Sequence, residues 1–453
     1  MDYLDTLSDF AANLDYSALD DAQREQAGWI LADTVAAMAG GSAEPEVRAL
    51  AARQPRSVEA EGALMVGLGR RSHREASAFV NGTAGTFLEM DEGNRFSRGH
   101  PAVHAIPAAL ALAEERKRPA EAFLAAMVAG YEVGSRLGAA SALRGALHPH
   151  GTWGTIGAAA AAARVAGAKP GAMREAISLS ASLATATSKQ TMLEGGLVRN
   201  TYAGLSNRNG VLALDLVESG FTGERDGPGS LLGQVLSDRF DRAAVVQGLG
   251  QDWHFMRNYF KLHSCCRYNH GTLDALDKLA AGEGLPTFDQ IERVEVLTYH
   301  LAAELVDPAP RNTLAAKFSV PFAVATRLVT GASSLSSFTW DALRDERALA
   351  LAKKVTVRED PAMSARLPLE RPSRVTLYLR DGSTRVGEAG VNRGDDASPY
   401  TREELRAKFM DLTARIWPQA HAKELLEATL ALAQLEMPMA PWLALLARAP
   451  QAV

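Results

Sequence analysis

Two cysteines, the adjacent Cys265 and Cys266, are all that 453 residues contain. Neighbours in sequence cannot staple a fold, which excludes a disulfide framework and points to a reducing, cytoplasmic setting. Positive charge is not in excess: 48 Lys and Arg face 53 Asp and Glu, for a formal net charge of -5. That balance argues against the basic face of a nucleic-acid binder. No stretch approaches the roughly 18 uninterrupted apolar residues of a membrane span, so no membrane partner is expected. The opening Met-Asp-Tyr-Leu-Asp-Thr-Leu-Ser-Asp-Phe is acidic and has no apolar centre, so it reads as neither a signal nor a transit peptide. Repeats and low-complexity tracts are absent. Aromatics are only 6% of residues while hydrophobics reach 47%, so the core must be built largely from small aliphatic side chains. The length is ample for two or three domains.

Residues 1–265 read as successive helices. Ala22–Gly40 carries apolar residues at helical spacing with a glycine stop, and Pro101–Lys117, Ala120–Ala140, Gly154–Gly167 and Gly210–Ser219 repeat the pattern. The texture changes afterwards. Ile291–His300 alternates apolar and polar residues as a half-buried strand does, Lys354–Glu359 is a second such run, and residues 374–386 read as a hairpin turning at Asp381-Gly382. Helical stretches at 270–281, 314–330 and 340–353 lie between them, and Tyr400–Ala433 is helical again. The expected fold is mainly α: a large all-helical domain plus a smaller α+β lid domain. Its expected division is 1–258 for the first part of the helical domain, 259–397 for the lid, and 398–453 for helices returning to the first domain.

Three polar knots stand out. Glu89-Met-Asp-Glu-Gly-Asn-Arg-Phe-Ser-Arg-Gly-His100-Pro101 places Glu89, Asp91, Glu92, Arg95, Arg98 and His100 between an apolar segment and an alanine-rich helix. Charges set so densely beside apolar segments are expensive to bury unless paired or used. Leu147-His148-Pro-His150-Gly-Thr-Trp-Gly also runs into a helix, and Phe260-Lys261-Leu-His263-Ser-Cys265-Cys266-Arg267-Tyr-Asn-His270 holds both cysteines. Counting His104 and His254, seven of the ten histidines lie in or beside these knots, so one site assembled from distant pieces is expected. Each knot has a plainer reading: a solvated acidic loop, a histidine at a helix entry, a pair of buried thiols. Lys261, Arg267 and His270 are better chemical candidates than the cysteines, as cations for substrate carboxylates or as acid–base groups.

These residues, in this order, resemble the MmgE/PrpD family, which includes 2-methylcitrate dehydratases, cis-aconitate decarboxylases and iminodisuccinate epimerases. The likeness spans almost the whole chain. It rests on the loop from Asp91 to Pro101 with Ile106-Pro-Ala-Ala, Gly130-Tyr-Glu-Val, His148-Pro with Gly154–Ala162, and Gly204 with Asn209-Gly-Val. It continues through Lys261 with Cys266 and His270, Ala316-Lys-Phe-Ser, Pro399 and Lys408-Phe. The resemblance implies a homodimer acting on a di- or tricarboxylate without metal or organic cofactor. It further implies that Glu89, Asp91 and Glu92 match the family's acidic loop, His100 and His148 its two site histidines, Lys261 its hinge lysine, and Cys266 a His-or-Cys position. Departures are Val198-Arg199 where a Thr-Lys pair is usual, Phe322 where decarboxylases carry a lid tyrosine, and Glu89 where aspartate is usual.

The implied activity is that of a cofactor-independent lyase, a 2-methylcitrate dehydratase-like hydro-lyase that abstracts a proton α to a carboxylate. Asp91, His100, His148 and Lys261 are the catalytic candidates. Glu89, Arg98, Arg199, Cys266, Arg267 and His270 are candidates for holding the substrate. An epimerase of an aspartate-derived dicarboxylate would use the same residues, and Phe322 disfavours a cis-aconitate-type decarboxylase. Two readings from other classes stay open: a metal-dependent hydrolase using Asp91, His100, His104 and His148, and a catalytically silent, polycarboxylate-binding dimer.

Overall fold

Alanine and glycine set the geometry of the larger part. In the computed structural model, which describes residues 2–57 and 62–451, six long helices form its centre. They are α1 (Asp21–Ser42), α2 (Arg74–Phe87), α3 (Pro101–Glu115), α4 (Ala120–Ala139), α5 (Trp153–Ala166) and α6 (Tyr202–Glu218). α5 is buried nearly all round, with Ala158 to Ala163 fully enclosed, and it packs against α3, α4 and α6. Helices come this close only where side chains nearly vanish. A Cβ on Gly157 would sit 2.8 Å from the Gly130 carbonyl oxygen across the α4–α5 contact.

One boundary differs from the sequence reading for the same reason. α1 does not stop at Gly40 but continues to Ser42, because its glycines serve packing: a Cβ on Gly41 would fall 1.9 Å from the Ala84 carbonyl oxygen of α2. Gly167, by contrast, ends α5 in the left-handed conformation that favours glycine (φ 80°).

The smaller part carries a four-stranded sheet. Its strands are β1 (Ile291–Thr298), β2 (Val355–Glu359), β3 (Ser373–Leu379) and β4 (Thr384–Ala389), in spatial order β2-β1-β3-β4. β2 runs parallel to β1, pairing Val355 with Val294, while β3 is antiparallel to both β1 and β4. Gly382, at φ 87°, makes the β3–β4 turn possible. Helix α7 (Arg267–Gly282) lies on β3 and β4, and Val294, Val296, Val375, Leu377, Ala275 and Leu276 form a second core distinct from that of the long helices. The expected helix over 314–330 is two helices, Thr313–Lys317 and Val320–Thr330, broken at Phe318-Ser319. The fold is thus mainly α with a smaller α+β region. Helices α8 (Arg402–Thr413) and α9 (Gln419–Ala433) follow the sheet and pack on α1. No helix among the described residues is long and apolar enough to cross a membrane.

Candidate active site

The acidic loop between α2 and α3 is held from every side. Lys408 of α8 donates to the Met90 carbonyl at 2.6 Å and pairs with Asp33 of α1, whose other oxygen accepts the Glu92 N–H at 2.8 Å. Ser264 donates to the Leu88 carbonyl at 2.8 Å. Glu92 points inward, accepting from the Ala102 N–H at 2.8 Å and from the Tyr131 hydroxyl at 3.1 Å. Burial, with Asp33 and Asp91 nearby, pushes its carboxyl up to about 8. Two non-glycine residues of the loop, Glu89 and Arg98, sit at φ 54°, a left-handed conformation that disfavours side chains with a Cβ. Both face the same cavity.

That cavity encloses about 300 Å³ between the long helices and the α+β region. At its base the charges interlock. Lys261 places its ammonium 3.4 Å from Glu89 and 3.3 Å from Asp91, and Arg199 pairs with the other Glu89 oxygen. Burial alone would raise both carboxyls. Arg199 and Lys261 overcome it at Glu89, and His100 with Lys261 overcomes it at Asp91, holding both below the usual carboxylate range. Burial would likewise lower Lys261, but Asp91 and Glu89 hold it above the ordinary lysine value.

His100 caps α3 just before Pro101. Its Nδ1 faces two acceptors, the Glu92 carbonyl at 2.6 Å and Asp91 at 3.0 Å. Nδ1 therefore donates, and Nε2 is the ring nitrogen not engaged by the loop. His148 is arranged the opposite way. Its Nδ1 accepts the His150 backbone N–H at 3.1 Å, while its Nε2 faces Arg199 Nε at 3.4 Å. A neutral imidazole accepts at only one nitrogen. The shorter, backbone-fixed contact makes Nδ1 the accepting nitrogen and leaves Nε2 beside the Arg199 guanidinium. His150 stands at the centre of a histidine cluster, its ring 4.7 Å from that of His148 and 4.8 Å from those of His100 and His104. Burial keeps His148, His150 and His104 neutral, with Arg199 adding to the effect at the first two; His104 falls to about 4. Gly154 makes room for this cluster: a Cβ there would lie 2.0 Å from His104 Cδ2.

Of the residues singled out from sequence, Glu89, Arg98, His100, His148, Arg199, Cys266 and Arg267 line the cavity. Asp91 and Lys261 lie behind the wall, beneath Glu89 and His100. His270 is not on the wall: its Nδ1 meets Arg267 at 2.9 Å and its ring packs on His263. Arg267 itself is committed to Asp395 at 2.8 Å. Burial, reinforced by Glu89, pushes the Cys266 thiol up to about 12, so it keeps its proton. Phe322 is enclosed in the α+β region against Phe338, away from the cavity. Sequence reasoning missed His150, Tyr259, Tyr268, Phe318 and Arg371, all of which line it. His150 had a signal, since it sits in the second knot. Tyr268 sits in the third knot and Phe318 in the Ala316-Lys-Phe-Ser motif, whereas Tyr259 and Arg371 come from ordinary-looking segments.

Glu89, Asp91 and His100 could each offer one atom to a metal ion, all within 4.8 Å of one another. The donor chemistry does not suit one. The two carboxylates are already matched by Lys261 and Arg199, and the His100 nitrogen turned toward Asp91 is the protonated one.

A helical body is joined to a smaller α+β region, with a cation-rich cavity between them. Residues 5–227 match the MmgE/PrpD N-terminal domain and residues 263–434 the MmgE/PrpD C-terminal domain, so the chain belongs to the MmgE/PrpD family. It is similar to the cis-aconitate decarboxylase of Aspergillus terreus, 25% identical over 410 residues that cover 84% of this chain and 83% of that protein. The cis-aconitate decarboxylase-like protein oryM of Aspergillus oryzae is 25% identical, covering 78% of each chain. The human cis-aconitate decarboxylase is 26% identical, over 74% of this chain and 71% of its own length. By their names two of these relatives are decarboxylases, which are lyases, and the oryM protein is decarboxylase-like.

Proposed function

We propose that the chain is a cofactor-independent lyase of a di- or tricarboxylate, acting as a 2-methylcitrate dehydratase-like hydro-lyase. The observation that carries this reading is the pair of opposed imidazoles on one enclosed wall. His100 offers an Nε2 lone pair and is backed by a carboxylate; His148 offers an N–H beside Arg199. An oxygen of a substrate carboxylate placed alongside His148 Nε2 and Arg199 Nε, which lie 3.4 Å apart, would accept from both donors. His100 would then take the proton from the carbon next to that carboxylate. Charge flows onto the carboxylate, where Arg199 and His148 hold it more tightly than in the ground state. The electron pair forms a C=C bond as the C–O bond to the neighbouring hydroxyl breaks. The hydroxyl leaves as water, carrying the proton that His100 received. Asp91 orients His100 and favours the positive charge it acquires in transit.

A second reading is favoured by the relatives' names: loss of CO2 from an unsaturated tricarboxylate such as cis-aconitate. There the C–C bond to a carboxylate breaks and its electron pair takes a proton at carbon. Against it, Phe322 has no hydroxyl and does not reach the cavity, leaving Tyr259 and Tyr268 as the phenols on the wall. Incubation of a panel of citrate-like and aspartate-derived acids in D2O, followed by NMR and CO2 detection, separates the outcomes. Water loss from a hydroxy acid supports the first reading and CO2 release the second. Solvent deuterium in an unchanged carbon skeleton would identify an epimerase. No turnover and no exchange with any acid would refute the lyase assignment.

A further inference from the structure

Two guanidinium groups on the cavity wall, Arg98 and Arg371, have no carboxylate within 4 Å among the described residues. Arg98 is half-buried and can be hydrated. Arg371, just before β3, is 3% exposed, and among the described residues its Nη1 has no hydrogen-bond partner. Its Nη2 donates to the Arg95 carbonyl at 3.3 Å. The guanidinium is instead held between two rings, its carbon 5.6 Å from the centroid of Tyr259 and 5.6 Å from that of Tyr268. A buried cation beside aromatic faces, with one donor unused and no carboxylate within 4 Å, carries a desolvation cost that is only partly offset. An anion entering the cavity removes that cost, and a planar carboxylate fits the fork of a guanidinium.

The geometry assigns Arg371 to a specificity subsite for a carboxylate remote from the reacting carbon. Arg371 forms no hydrogen bond with Glu89, His148 or Arg199. The Tyr259 ring stands between it and His100, 6.2 Å from the imidazole centroid. A ligand whose one carboxylate lies between Arg199 and His148 would therefore reach Arg371 only with a second or third carboxylate. This inference rests on the polycarboxylate reading above and adds to it that the remote carboxylate is recognised by a preformed arginine from the α+β region.

Calorimetric titration with propane-1,2,3-tricarboxylate and with butyrate, which has a single carboxylate and so cannot reach both subsites, tests it on the full chain. Wild-type protein should prefer the tricarboxylate. Arg371→Met should weaken tricarboxylate binding by about 10- to 100-fold, the range expected for hydrogen bonds to a charged group, while changing butyrate binding by less than about threefold, so that the preference collapses. Arg371→Lys keeps the charge without the fork and should fall between the two, which keeps the test usable if the methionine variant does not fold. Equal weakening of both ligands, or unchanged tricarboxylate binding in the folded lysine and methionine variants, would overturn the assignment while leaving the lyase reading standing. Wild-type protein that binds neither acid would overturn both.

Discussion

Replacing Asp91 by asparagine changes one oxygen to an amide nitrogen behind the cavity wall and leaves the wall itself intact. Asp91 lies 3.0 Å from His100 Nδ1 and 3.3 Å from Lys261. At that separation and an effective dielectric near 20, a carboxylate attracts an imidazolium by about 5 kcal/mol. Lys261 offsets part of this, leaving about 3–4 kcal/mol to stabilise His100 while it carries the substrate proton. Each 1.4 kcal/mol is about tenfold, so Asp91→Asn should lower kcat by about 10²- to 10³-fold. KM should move by only a few-fold, since Asp91 does not meet the ligand. The variant also leaves Lys261 with one carboxylate instead of two, so its thermal stability should fall, and circular dichroism must show that the fold survives. Steady-state rates on the turned-over acid across pH give the answer. A folded variant with kcat within threefold of wild type, or with its loss confined to KM, would refute the idea that Asp91 acts through His100.

Arg199→Lys should retain more kcat/KM than Arg199→Met, because charge at the developing anion survives while the fork geometry is lost; equal activities would place Arg199 outside the reaction. Activity should persist after exhaustive EDTA treatment, and loss on chelation that one added metal restores would revive the hydrolase reading. Glu92→Gln should alter the pH dependence of stability. Because the folded-state value of Glu92 is raised to about 8, its contribution is present below the unfolded value near 4.5 and is lost as pH rises through 8. Wild-type Tm should therefore decline relative to the glutamine variant by several degrees between pH 5 and 8.5 in differential scanning fluorimetry. Parallel Tm profiles would show that Glu92 is ionised in the folded protein.

Local charge density made Glu89, Asp91, His100 and His148 legible. Loops that set several ionisable groups between two apolar segments are tethered at both ends, and here the tether turns them inward. The same criterion misplaced His270, because α7 carries one face toward the cavity and another toward His263, and density along a chain does not say which way a side chain turns. Arg371 left no mark at all: Leu369-Glu-Arg-Pro-Ser is unremarkable in sequence, and only the packing of the sheet against the acidic loop brings the guanidinium to the wall. The alternation of Ile291–Thr298 and the Asp381-Gly382 turn identified the sheet, since pleat and turn chemistry are local. The extent of α1 past Gly40 was not legible, because it depends on how near α2 approaches.

The brace that Lys408 gives the acidic loop has a consequence for the order of events in synthesis. The ammonium that holds the Met90 carbonyl lies 318 residues downstream of it. A nascent chain that has already formed α1, α2 and α3 on the ribosome still lacks this support, and lacks Lys261 for the Glu89 and Asp91 charges. Domains emerge N-terminal end first, so water must solvate the loop's two carboxylates until Arg199 and then Lys261 have been made, and the Lys408 brace arrives later still. Its inward, left-handed conformation is therefore a late event, fixed when α8 closes over α1. Chains released before that point would keep the helices but not the loop, and so would carry the parts of a site without the site.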